Sequence, residues 1–114
     1  MKLSEVKKLL NAEVLTGEEF MDKEIFSACG CDLMSDVLAF VKDKAILLTG
    51  LMNPQVIRTA EMMDIETVIF VRGKKPDDAI VGMAKMKDIV VMTTDYPLYI
   101  ASGKLYSAGI GNVD

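Results

Sequence analysis

The sequence has no histidine and no tryptophan, only two cysteines and three prolines, and no excess of positive charge. Each shortage closes a class of function. Without histidine no imidazole can move a proton near neutral pH, and every nucleophilic triad built on one is excluded. A net charge of −4 offers no basic field to a phosphate backbone, so nucleic acid is not an expected partner. No apolar run approaches the roughly 20 residues that cross a bilayer. The charges among the leucines of "MKLSEVKKLLNAEV" interrupt any signal core. The expectation is a cytoplasmic chain with no membrane partner. Two cysteines one residue apart, Cys29 and Cys31, cannot build a disulfide framework, and a reducing compartment keeps them as thiols.

Apolar residues make up 51% of the 114 positions and charged residues 26%, the balance of one globular domain with one core. Nine methionines suit adaptable packing in that core, or at an interface. "LSEVKKLL" sets Leu3, Val6, Leu9 and Leu10 at helical spacing, with Ser4 as the cap. "EVLTGEEF" reads as a short strand ended by Gly17, and "EIFSACGC" as another, with Gly30 breaking its regularity. Asp32 is placed to cap the helix "LMSDVLAFVK". That helix is apolar nearly all round, so it either lies under a sheet or packs on a second copy.

The second half has a rhythm. "AILLTG", "VIFVRG" and "IVVMTT" each lead through a loop to a proline, and Pro54, Pro76 and Pro97 recur about 20 residues apart. Val56, Ile57, Ala60 and Met63 form one apolar stripe after Pro54, and Ala79, Ile80, Met83 and Ala84 another after Pro76. Tyr99, Ile100, Leu105 and Tyr106 continue a less regular helix, which Gly103 weakens or ends, with Gly109 the safer stop. Strands apolar throughout, joined by amphipathic helices, are parallel strands covered on both faces. The fold class is therefore α/β, a sandwich with a mostly parallel sheet. Residues 1–110 form one domain and 111–114 a flexible tail.

Ligands of open parallel sheets sit beyond the carboxyl ends of the strands, which here carry "TGLMNP", "VRGKKP" and "TTDYP". In the middle loop Gly73 lets backbone amides approach a ligand, while Arg72, Lys74 and Lys75 add positive charge before a helix begins. Asp77 and Asp78 follow at once and can satisfy the helix amides themselves, and Asn53 and Asp95 in the neighbouring loops can serve as caps. Neither the P-loop pattern nor the dinucleotide glycine pattern occurs, so kinase or dehydrogenase machinery is missing. In a strand, Cys29 and Cys31 face the same side. Two thiolates fall short of the four ligands zinc prefers, and Asp32 beside them disfavours a thiolate, so neither a metal nor a cofactor is expected.

"CDLMSDVLAFVKDKAILLTGLMNPQVIRTAEMMDIETVIFVRGKKPDDAI" resembles stand-alone proteins of the DRTGG domain family, similar in turn to the amino-terminal domain of HPr kinase/phosphorylase. The resemblance runs from "LSEVKKLLNAEVLTG" to "ASGKLYSAG" and is sharpest at "CDLMSDVLA" and "RGKKPDD". Asp22-Lys23-Glu24 stands where the family tends to show an aspartate and a basic residue, and the family's TGG-like turn stands as Val71-Arg72-Gly73. The resemblance implies a Rossmann-like three-layer sandwich that pairs with itself, and a regulatory or sensory module, not an enzyme. Larger relatives carry the domain beside phosphotransacetylase, or between nucleotide-sensing CBS domains and a pyrophosphatase. Some stand-alone members are associated with iron-hydrogenase gene sets.

The leading expectation is thus a homodimeric, non-catalytic regulatory domain. A small anionic ligand such as a nucleotide would bind around Asn53, Arg72, Gly73, Lys74 and Thr94. Cys31, Asp32, Leu33, Ser35 and Asp36 would lie at the dimer interface. The alternative is an accessory protein of a redox system of the iron-hydrogenase type, with Cys29 and Cys31 holding a metal or exchanging disulfides with a partner protein. Enzymatic use of Asp36, Asp95 or Lys74 is the weakest reading, because no nucleophile–base pair can be located.

Overall fold

Runs that are apolar at every position can only be strands hidden on both sides, and three of them form the middle of the molecule. The computed structural model describes residues 1–40 and 45–111. Its elements, in chain order, are α1 (Leu3–Leu9), β1 (Glu13–Thr16), β2 (Ser27–Gly30), α2 (Met34–Phe40), β3 (Ala45–Thr49), α3 (Gln55–Met62), β4 (Thr67–Phe70), α4 (Asp78–Met86), β5 (Val90–Thr93) and α5 (Leu98–Ser107). The sheet order is β1-β5-β4-β3-β2. The last four strands in that order are mutually parallel, and β1 closes one edge antiparallel to β5. Every residue of β3, β4 and β5 is buried, as two covered faces require.

Alternating side chains feed two cores. Ile46, Leu48, Ile69 and Met92 pack with Leu3, Val6 and Leu10 of α1 and with Ala101 and Leu105 of α5. Leu47, Val68, Phe70 and Val91 pack on the other face with Met34 and Val37 of α2, Val56, Ile57 and Ala60 of α3, and Ile80 and Ala84 of α4. The molecule is the expected three-layer α/β sandwich. Among the described residues, no helix is long and apolar enough to cross a membrane.

Several local expectations shift by a residue or a face. Ser4 lies inside α1, which begins two residues earlier than a Ser4 cap would set it, because carbonyls of the segment between β1 and β2 satisfy its first amides: Leu3 N donates to Lys23 O at 3.0 Å and Ser4 N to Met21 O at 2.9 Å. Pro54 and Pro97 occupy N-cap positions, and Pro76 precedes the N-cap Asp77, whose Oδ1 accepts from Ile80 N at 2.9 Å. Ala79 is exposed and drops out of its stripe. The last helix runs through Gly103 and stops before Gly109, which takes a φ of +100°. Of Tyr99, Ile100, Leu105 and Tyr106, only Leu105 is buried; Ala101 is the second anchor of α5. Within the helix expected over "LMSDVLAFVK", Val41 and Lys42 lie outside the described residues, as do positions 112–114 of the expected tail.

Candidate functional site

The parallel register brings four strand ends to one rim. Gly30 lies beside Leu48, Thr49 beside Phe70, and Phe70 beside Thr93. Beyond them the β2–α2, β3–α3, β4–α4 and β5–α5 loops gather, the place where open parallel sheets accept ligands.

The β4–α4 loop is the most constrained. Arg72 and Gly73 both take left-handed φ angles, +61° and +68°, and Lys74 N closes the turn on Val71 O at 3.3 Å. Two positive φ values in succession mark a turn of the primed kind, which a non-glycine residue adopts at some cost. The cost is met by the neighbouring loop, since Arg72 N donates to Tyr96 O at 2.9 Å and Gly73 N to Thr94 O at 2.8 Å. Thr93 Oγ1 adds a bond to Lys74 O at 2.6 Å. The turn is thereby laid against the β5–α5 loop with the Arg72 side chain exposed at its tip.

Gly50 is the hub of the rim. Its N–H donates to Asp32 Oδ1 at 2.7 Å, and its carbonyl accepts from Lys74 Nζ at 3.0 Å. A Cβ on Gly50 would stand 3.2 Å from a guanidinium nitrogen of Arg72 and 3.7 Å from Asp32 Oδ1. The missing side chain is what lets three loops converge. Asp32 Oδ1 also accepts from Thr49 Oγ1 at 3.0 Å, so the carboxylate ties β2 to β3 where the sequence reading had it capping α2. Leu33 takes the position just before that helix.

The five residues expected around a ligand are distributed as follows. Arg72, Gly73 and Lys74 share the turn. Thr94 meets them only through its carbonyl, because its buried hydroxyl donates across the sheet end to Leu10 O at 2.7 Å. Asn53 sits on the same rim at the far end of the β3–α3 loop, just before the N-cap Pro54, and its Oδ1 accepts from Gln55 N at 2.8 Å, so that oxygen is already spent on the start of α3. Asp95 approaches from the β5–α5 loop, its Oδ1 3.0 Å from where a Gly73 Cβ would stand. Among the described residues, Arg72 and Lys74 form no ion pair with a carboxylate.

This arrangement offers a planar guanidinium and an ammonium for an oxyanion, with carboxylates at hand as acceptors for hydroxyl or amino groups. Sequence reasoning missed Gly50 and Asp32 as rim residues. The signals were a glycine directly after a fully apolar strand, and an aspartate two residues past the end of another.

Cys29 is partly buried in β2, and Cys31 lies just beyond it. Burial pushes the Cys29 thiol up, and the neighbouring Cys31 and then Asp36 push it further, so at neutral pH it stays protonated and a poor nucleophile. The Cys31 thiol donates to Leu33 O at 3.2 Å. Among the described residues, no three histidine, cysteine, aspartate or glutamate side chains cluster as a metal ion requires. Of the residues expected at a dimer interface, Cys31 is half-buried, and Asp32, Leu33, Ser35 and Asp36 are exposed along the start of α2.

No protein-family model and no curated protein matches the sequence. Among solved structures, the fold is similar to the CBS and DRTGG domains of the regulatory region of Clostridium perfringens pyrophosphatase, solved in complex with its activator, diadenosine tetraphosphate. The TM-score is 0.73 at 21% identity, over 91% of this chain and 45% of that one. The chain spans somewhat less than half of that structure, and at this identity the likeness is one of fold.

Proposed function

We propose that this chain is a non-catalytic regulatory or sensory domain of the DRTGG kind, cytoplasmic and homodimeric, which takes a small anionic ligand of the nucleotide class at the rim of loops. One observation carries the reading: Arg72 and Lys74 converge on Gly50 from a turn whose backbone is already fixed by the next loop. A guanidinium carried on such a turn can bind phosphate through two parallel hydrogen bonds. Asp95, and the amide of Asn53, would then meet polar groups of the ligand. Gly73 gives close approach, and Thr94 supports the loop from behind. The likeness to a regulatory region solved with a dinucleotide activator supports the same class of ligand. The accessory redox reading is less favoured, because Cys29 is held protonated and no third metal ligand stands near it among the described residues.

The test is a thermal-shift series with mono-, di- and dinucleoside phosphates. At a ligand concentration one hundred times Kd, native-state binding stabilises by about 2.7 kcal/mol. For a domain of this size that raises Tm by on the order of 10 °C. Arg72→Gln should abolish the shift while leaving the unliganded Tm in place. A flat response across the nucleotides would contradict the ligand reading.

A further inference from the structure

The two edges of the sheet differ, and among the described residues β2 is the unguarded one. Ser27, Ala28, Cys29 and Gly30 carry no charge and no proline, the usual guards of a free edge. Cys31 N donates inward to Leu48 O at 3.0 Å, and Cys29 lies opposite Leu47 in the parallel register. The alternation of strand groups therefore turns the N–H and C=O of Ala28 and Gly30 outward. Leu33 and Leu38 on the α2 side of this edge, Tyr99, Ile100 and Tyr106 on the α5 side, and Phe26 just ahead of the strand are all exposed. A groove of about 830 Å³ runs along α5 here, with Ala28, Gly30 and Tyr106 among its walls.

Resting on the homodimer reading above, we infer that β2 pairs antiparallel with β2 of a second copy, making one continuous ten-stranded sheet with Cys29 on the two-fold axis. Only a register centred on Cys29 uses both outward-facing residues of each strand, with Ala28 opposite Gly30 twice. An axis that pairs edges in this way is perpendicular to the sheet, so α2 meets α2 and α5 meets α5, running oppositely. Leu33 at the start of α2 then faces Leu38 of the other copy, and Tyr99 at the start of α5 faces Tyr106. The exposed side chains fall into the reciprocal pairs that a two-fold demands. Taking about 150–250 Å² per aromatic, the exposed parts of the six side chains amount to roughly 700 Å² per copy. A standard interface buries roughly 800 Å² per partner. A foreign strand could satisfy the edge but would not match both faces at once.

The geometry sets the two Cys29 residues directly opposite one another as a non-hydrogen-bonded pair, with Cα atoms about 4.5 Å apart, inside the range of about 4.4–6.8 Å that a disulfide spans. The Cys31→Ser chain has Cys29 as its only thiol. Diamide, a two-electron oxidant that takes up the two thiol hydrogens, should convert it to a covalent dimer, at least tenfold faster than it converts the Cys29→Ser chain. Ala28→Pro removes only outward-facing bonds, and proline is tolerated on an edge. It should raise the dimer Kd at least tenfold in sedimentation, with an unchanged circular dichroism spectrum. If sedimentation shows a dimer but the Cys31→Ser chain does not cross-link preferentially, the edge pairing is wrong and the homodimer reading stands. A strict monomer at micromolar concentration overturns both.

Discussion

The two outer strands of one sheet solve the same problem in opposite ways. β1 has its register broken by an irregularity between Val14 and Thr16, carries Glu13 within 3.4 Å of Lys75 Nζ, and is followed by Gly17, pressed against Val90. A kinked and charged strand is a poor template for another chain. β2 is regular, uncharged and bordered by exposed apolar side chains on both faces. The difference teaches that, among the described residues, one edge carries guards that the other lacks, and that the unguarded edge begins the rim where Asp32 and Gly50 meet.

The protected edge should break most expensively at Gly17. A Cβ there would lie 2.7 Å from Val90 Cγ2 and 2.9 Å from Val90 Cα, on a backbone with φ of +93°. Gly17→Ala should cost about 3 kcal/mol, the sum of overpacking and left-handed strain, read as a lower urea midpoint with an unchanged slope. At the other edge, Asp32→Ala removes the acceptor for Thr49 Oγ1 and Gly50 N. The expected loss is about 2 kcal/mol, and nucleotide binding should weaken with it because Gly50 loses its anchor.

A sharper contrast comes from exchanging edge chemistry. Leu33→Glu should weaken self-association at least tenfold, about 1.4 kcal/mol, whereas Glu13→Gln on β1 should leave the sedimentation profile unchanged. The mildest effect concerns the thiols. With its pKa raised by burial, Cys31 and Asp36, Cys29 should alkylate slowly at pH 8, with a rate profile displaced to higher pH than that of a free small-molecule thiol. Asp36→Asn should move that profile back down, since one of the charges opposing the thiolate is gone. Peptide mapping after iodoacetamide labelling reads both sites at once.

What was legible in the sequence follows from where the burial is. β3, β4 and β5 are buried on both faces, so "AILLT", "TVIF" and "VVMT" announced themselves, and the prolines marked the helix starts that follow. The direction of β1 was not legible, because one exposed and three half-buried residues carry no signal of orientation. The outward face of α5 was hidden for a related reason. Tyr99, Ile100 and Tyr106 look like core residues to any hydropathy pattern, yet Ala101 and Leu105 are the side chains that reach the sheet.

At the rim, residue types predicted the turn at Arg72 and Gly73 but not which groups were already spent. Thr94 binds Leu10, a residue 84 positions earlier, and no local pattern carries such a contact. Gly50 escaped notice because its importance lies in three loops converging on it. A glycine after a strand has no such meaning until the neighbours are known.

The most direct test of the rim as the ligand site is an amide-resolved NMR titration of the intact protein with ATP. Saturable shifts are expected, centred on Gly50, Gly73, Lys74 and Asp95, and lost in Arg72→Gln. Shifts confined to the groove along α5, or no shifts at millimolar ATP, would contradict that assignment.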